Sequence, residues 1–197
     1  MGLMLDYARV KPGEAVDRVA VKVSFLRLDR RVVAPLADLP VGFACAPESL
    51  DVAAYRALYN LVGQDWLWWL RRMMPDDMLA QHLADKAVAI HVLRHEGRAV
   101  GFFELDANPW PDVNLNYFGL TAEVQGRGLG YDLLLRSIAT VFAGPVRGMT
   151  VNTCTADHPR ALPNYRRAGF RLMRVAEEVW DIPCRLGFRI ADHLRVG

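Results

Sequence analysis

Three glycines, Gly126, Gly128 and Gly130, fall within five positions in the stretch VQGRGLGYDLL at residues 124–134. An apolar pattern of helical spacing follows through Leu133, Leu134, Ile138, Val141 and Phe142. Glycine gives up backbone order that other residues keep. Three of them at a helix mouth point to a fold in which a strand feeds a loop and the loop feeds a helix. Backbone N–H groups in such a loop approach an anion with no Cβ in the way, and the helix end adds about half a positive charge. Two phosphate loops do not fit. A dinucleotide fingerprint needs G-x-G-x-x-G in a first βαβ unit. Here the spacing is G-x-G-x-G, in mid-chain, after strands that read as antiparallel. A P-loop needs Gly-Lys-Ser/Thr, and Gly130 is followed by Tyr131. A plain turn needs fewer glycines.

Periodicity supplies the surroundings. Val19, Val21, Val23 and Phe25 alternate, which predicts a strand over 19–28. Residues 34–49 carry three prolines and a glycine and read as a connector. Val52, Tyr55, Leu58, Tyr59 and Val62 keep helical spacing behind Ser49 or Asp51 as cap, and Gly63 ends them. DWLWWLRRMM and DDMLAQHLAD read as two further short helices. Residues 88–95 and 98–106 form a predicted hairpin about Glu96-Gly97, with a third strand over 113–120. After the glycine loop come a helix over 128–142, the strand RGMTVNTC, the short helix DHPRALPNYRRAG, and final strands FRLMRVAEEVWDI and RLGFRI. The order predicts a mixed α/β (α+β) single domain over 18–197, with residues 1–17 as a loose arm.

Composition excludes other classes. The chain is 52% hydrophobic and 23% charged, which is the balance of a globular domain with a large core. A net charge of +2, with signs interspersed, argues against nucleic acid as partner. No apolar run spans a bilayer and no signal-peptide pattern appears, so a cytoplasmic protein without a membrane partner is expected. Cys45, Cys154 and Cys184 are odd in number and far apart, as reduced structural thiols are. His91 and His95 share a strand, where four residues span about 13 Å, so they cannot chelate together. With no H-E-x-x-H either, no metal is expected.

Gln125-Gly126-Arg127-Gly128-Leu129-Gly130 resembles the Q/R-x-x-G-x-G/A signature of the GCN5-related N-acetyltransferases (GNAT). Ala161, Tyr165 and Gly169-Phe170 resemble that family's second pattern, A-x-x-x-Y-x-x-x-G-F, one strand later. The phrase NTCTADHPRALPNYRRAGF is also similar to a bacterial subgroup of the family. The resemblance covers residues 50–180. It implies a central, mostly antiparallel twisted sheet flanked by helices. It also implies transfer of the acetyl group of acetyl-CoA to a primary amine of a small molecule or amino-acid-like acceptor, directly within a ternary complex.

The resemblance assigns roles. Residues 125–130, with Tyr131, would cradle the pyrophosphate of coenzyme A. Phe118, Gly119 and Leu120 would pair with pantetheine as a strand does. His158, at the mouth of the last helix, would orient a cofactor group or cap that helix. Tyr165 would protonate the leaving thiolate. The family's glutamate base falls at Asn114, which takes no proton at neutral pH, so Asn114 is expected to contact substrate instead. Glu104 in GFFELD is the substitute base, with a pKa expected to be raised among aromatics. Trp66 and Trp68 are expected against the acceptor, Trp66 also sharing a helical face with Trp69 and Met73. The exposed tryptophans suit a homodimer. Two other readings stay open: a non-catalytic acyl-CoA-binding module, and an acyltransferase for longer acyl-CoA.

Overall fold

The computed structural model describes residues 6–31 and 35–196. Seven strands form one sheet: β1 (Val16–Asp29), β2 (Phe43–Pro47), β3 (Val88–His95), β4 (Arg98–Asp106), β5 (Asp112–Leu120), β6 (Gly148–Cys154) and β7 (Arg171–Pro183). They lie in the order β2-β3-β4-β5-β6-β1-β7. Only β5 and β6 pair in parallel; every other neighbouring pair is antiparallel. The expected central, mostly antiparallel sheet flanked by helices is therefore present.

Helices α1 (Val52–Gly63) and α3 (Asp76–Ala84) pack about Tyr55, Tyr59, Leu79 and Phe102, and α2 (Leu70–Met73) sets Leu70 and Met73 against the cluster of Val19, Val21 and Val23. Helices α4 (Leu129–Ala143) and α5 (Ala161–Arg167) contribute to another core cluster. The inward residues predicted for α4, from Leu133 to Phe142, are all buried. Asp51 caps α1, accepting from the Ala54 N–H at 2.8 Å. Gly63 ends the helix for a packing reason: a Cβ there would lie 2.5 Å from the Cβ of Trp68.

β1 is out of sequence order. It occupies the slot between β6 and β7, antiparallel to both. Val19, Val21 and Val23 are buried on one face, as the alternation predicts.

Four elements differ from expectation. β2 lies inside the predicted connector; its FACAP has no buried alternation, and the ladder to β3 holds it. The helix expected across DWLWWLRRMM shrinks to α2, because Leu67 turns the chain at φ 54°. RLGFRI forms no strand; Cys184–Leu186 is a 3-10 turn that Gly187 ends at φ 67°. In the segment expected as a loose arm, Asp6–Ala8 form a 3-10 turn with Ala8 fully buried, and residues 1–5 lie outside the described residues.

Two irregularities position the site. The β4–β5 register shifts so that Glu104 faces Tyr117 while Leu105 faces Leu115, leaving Asn116 as a bulge. Pairing of β5 with β6 stops at Leu115–Val151. Beyond it the two strands part, and residues 116–120 keep a free backbone edge.

Candidate active site

A cavity of about 1100 Å³ occupies this cleft and is lined from both faces of the sheet. At one end is the glycine loop. Gly126 and Gly128 have φ of 79° and 82°, a region that costs other residues strain, and a Cβ at either would meet nothing. The N–H groups of residues 126–130 have no acceptor among the described residues, while those of Tyr131 and Asp132 turn back to the Gly128 carbonyl. Five free donors at the mouth of a fifteen-residue helix fit a bound anion. Gln125 secures the loop, its Nε2 donating to the Leu120 carbonyl at 3.0 Å. The Arg167 guanidinium lies 4.1 Å over the Tyr131 ring, and both line this end with Arg160.

In the cleft stands Tyr165, 5% exposed, against Phe118 and Phe170. Burial first, then the Asp157 charge, push its hydroxyl far above the usual range, so it stays protonated. Asp157 is tied by Thr153 Oγ1 at 2.7 Å and the Cys154 N–H at 2.9 Å. Burial raises its carboxyl above the ordinary value despite these donors.

On the helical face lies a polar cluster. Glu104 is fully buried. Its Oε1 accepts from Arg71 Nη2 at 2.7 Å, His82 Nε2 at 2.8 Å and Asn116 Nδ2 at 2.9 Å; its Oε2 accepts from Tyr55. Burial opposes ionisation, but the His82 hydrogen bond, the Arg71 charge and the remaining donors win and hold the carboxyl at about 2. The expected base is therefore corrected. Glu104 has a lowered pKa and does not line the cavity; it is a buried counter-ion.

The other expected residues divide. Trp66, Trp68, Asn114, Phe118, Gly119, Leu120, Gln125, Gly126, Gly128, Gly130, Tyr131, His158 and Tyr165 all line the cavity. Arg127 is exposed and Leu129 is buried in the core, so only their backbones belong to the loop. His158 accepts the Arg160 N–H on Nδ1 at 3.0 Å, a local turn closure, and Trp66 meets its ring edge-on at 5.0 Å. Trp68 is chiefly packing, against Tyr59, Tyr117 and Phe102. Asn114 donates to Asn116 and accepts from Thr150 Oγ1 at 2.8 Å. Arg71, His82, Asn116 and Asp157 were missed. Asn114 and Asn116 stand two apart, but counting by twos along β5 fails across the bulge. Arg71 sits in a run that reads as a helix's polar side, with no signal of burial.

The family model described as "Acetyltransferase (GNAT) family" matches residues 55–170, more than half of the chain. The chain belongs to the GNAT acetyltransferase family. Solved structures agree at the level of fold. A GCN5-related N-acetyltransferase from Sphaerobacter thermophilus superposes with a TM-score of 0.61 at 15% identity, over 87% of this chain and 54% of that one. A putative GNAT acetyltransferase from Novosphingobium aromaticivorans gives 0.57 at 20% identity, over 88% and 70%. The PaiA N-acetyltransferase of Thermoplasma acidophilum, solved with coenzyme A, gives 0.55 at 14% identity, over 68% and 98%. This GNAT chain spans 54% and 63% of the length of the first two structures it matches. No curated protein sequence matches it. No helix among the described residues is long and apolar enough to cross a membrane.

Proposed function

We propose that the chain is an N-acetyltransferase that moves the acetyl group of acetyl-CoA to a primary amine of a small acceptor. One observation carries this reading: the anion-ready glycine loop, the protonated Tyr165 and the buried polar cluster open on one cavity through the parted strands. Residues 126–130 would hold the pyrophosphate through their free N–H groups, and residues 116–120 offer the unpaired edge for pantetheine. Acetyl-CoA supplies the acetyl group as a thioester.

The chain's own residues manage the protons. Tyr165 holds a proton for the departing sulfur. Asp157 is a carboxylate in the cavity whose pKa is raised, which suits a group that takes the amine's proton. Both line the cavity, and the Asp157 charge acts on Tyr165. Glu104 holds Arg71 and His82 in place and takes no part in the transfer.

The test is calorimetric titration of acetyl-CoA with NAD as control, followed by an amine screen that detects released thiol. Saturable binding of acetyl-CoA alone, lost in Gly128→Glu, with thiol release that requires an amine, is expected. Binding without release from any amine overturns the transfer and leaves a binding module; no binding by folded protein overturns both.

A further inference from the structure

β7 ends the sheet, and its outer edge is open. It runs thirteen residues, Arg171–Pro183, with β1 on one side and no strand on the other among the described residues. Four of the nine large apolar side chains exposed among the described residues lie on it: Leu172, Met173, Val175 and Val179, at 42, 60, 52 and 61%. A long edge with apolar side chains and free backbone groups invites another strand.

The register shows which backbone groups are free. The Cys184 N–H donates to the Ala15 carbonyl at 3.0 Å, and successive residues of a strand turn their N–H and C=O to alternate sides. Ile182, Trp180, Glu178 and Ala176 therefore turn theirs to β1, opposite Asp17, Val19, Val21 and Val23. The Arg18 and Lys22 carbonyls accept from Val196 and Thr155 on the other edge of β1, in phase with this alternation. Val175, Glu177 and Val179 turn theirs outward, where no backbone partner meets them among the described residues.

Charge selects what can pair there. The ladder to β1 is regular from Arg174 onward, its shift falling at Met173. Two copies of one strand pair antiparallel about a two-fold axis through a residue, and facing residues share a side of the sheet. An axis at Arg174, Glu177 or Glu178 sets a charge against itself. An axis at Val175 sets Arg174 against Ala176 and leaves both glutamates without a cation opposite. Of the axes from Arg174 to Glu178, only the one at Ala176 brings opposite charges together. Arg174 of each copy then faces Glu178 of the other, in a pair without backbone bonds, where side chains come closest. Val175 of each copy and Glu177 of the other exchange the outward N–H and C=O bonds. A strand that matches its own reversed copy fits a second copy of this chain.

We propose that two copies of the chain join through β7 about a two-fold axis at Ala176, making one continuous sheet. Glu178 and Trp180 line the cavity, and the Trp180 indole donates to Glu178 at 2.9 Å. Arg174 of the second copy meets that pair, so each copy completes a wall of the other's cavity. The association stands apart from the proposed acetyl transfer.

Sedimentation velocity of the full chain, over a hundredfold range of concentration, reads the association directly. A reversible species of twice the 22.1 kDa chain mass is expected. Val175→Pro removes an outward N–H that β1 does not use, a change an edge strand tolerates, and shifts the chain to monomer. Arg174→Glu and Glu178→Arg each put like charges face to face twice and weaken the dimer at least about tenfold. Mixed in equal amounts, the two variants face opposite charges at both positions and recover the dimer to within about threefold of the unaltered chain. Such recovery needs both variants folded and fixes the axis at Ala176. Where either charge variant fails to fold, Val175→Pro decides. A monomer at every concentration, a larger open-ended assembly, a dimer that Val175→Pro leaves intact, or a mixture of folded charge variants that recovers nothing overturns the proposal.

Discussion

Glu104→Gln keeps the shape of the side chain and removes the charge opposite Arg71. In the folded protein the carboxyl is held from 4.5 down to about 2. At about 1.36 kcal/mol per pH unit, its ionised form carries about 3 kcal/mol of stability. Removing one partner of a buried ion pair independently costs about 3–5 kcal/mol. The variant is expected to lose about 3 kcal/mol at pH 7, a fall in Tm of about 6–12 °C for a domain of this size. The sign follows from the lowered folded pKa. The contribution is complete above the unfolded value of 4.5 and disappears as pH falls toward about 2. Urea unfolding of both proteins between pH 3 and pH 7 therefore shows a gap that narrows on acidification. A loss below about 1 kcal/mol at pH 7, or a gap that does not change with pH, refutes the reasoning. At a temperature where the variant is folded, the acidic limb of its rate profile persists, because Glu104 is not the proton acceptor.

Other residues give separate outcomes. Tyr165→Phe lowers kcat about 10- to 100-fold while acetyl-CoA affinity holds, as steady-state kinetics and calorimetry will show. Asp157→Asn removes the acidic limb of the kcat/KM profile; a retained limb places the base elsewhere. Gly128→Ala meets no atom within 4 Å, so its cost is the left-handed φ alone: about 1 kcal/mol of stability, with weaker acetyl-CoA binding. Iodoacetamide at pH 8 labels exposed Cys184 first, while Cys45 and Cys154, pushed by burial to about 11 and about 12, react only in urea.

The parts of the site legible in the sequence are local. The glycine loop needs six consecutive residues and a helix behind them, and Tyr165 stands at a fixed distance from Gly169 within one helix and its stop. Both motifs hold on this elementary geometry. The buried polar cluster draws Tyr55, Arg71, His82, Glu104 and Asn116 from five elements, and no spacing in the chain announces such a meeting. Glu104 was found but misjudged: aromatic neighbours suggested desolvation, while the donors that outweigh it come from other elements. The bulge at Asn116 defeats any count by twos along β5. β2 escaped notice because an edge strand held by its backbone ladder leaves no alternation to read.

The slot filled by β1 bears on how the protein is made. β1 leaves the ribosome before β6 and β7, yet those two are its strand partners, across intervals such as Val23 to Cys154 and Val16 to Pro183, and its remaining bridge, Val19 to Arg195, reaches further still. Through most of synthesis it has two open edges and an apolar face, the condition in which strands find wrong partners. The hairpin of β3 and β4 closes early from neighbouring residues, so one half of the sheet is assembled while the other waits. Closing the second half is then expected to be slower than closing the first, and because Glu178 and Trp180 of β7 are cavity walls, that part of the cavity takes shape after the β3–β4 half of the sheet.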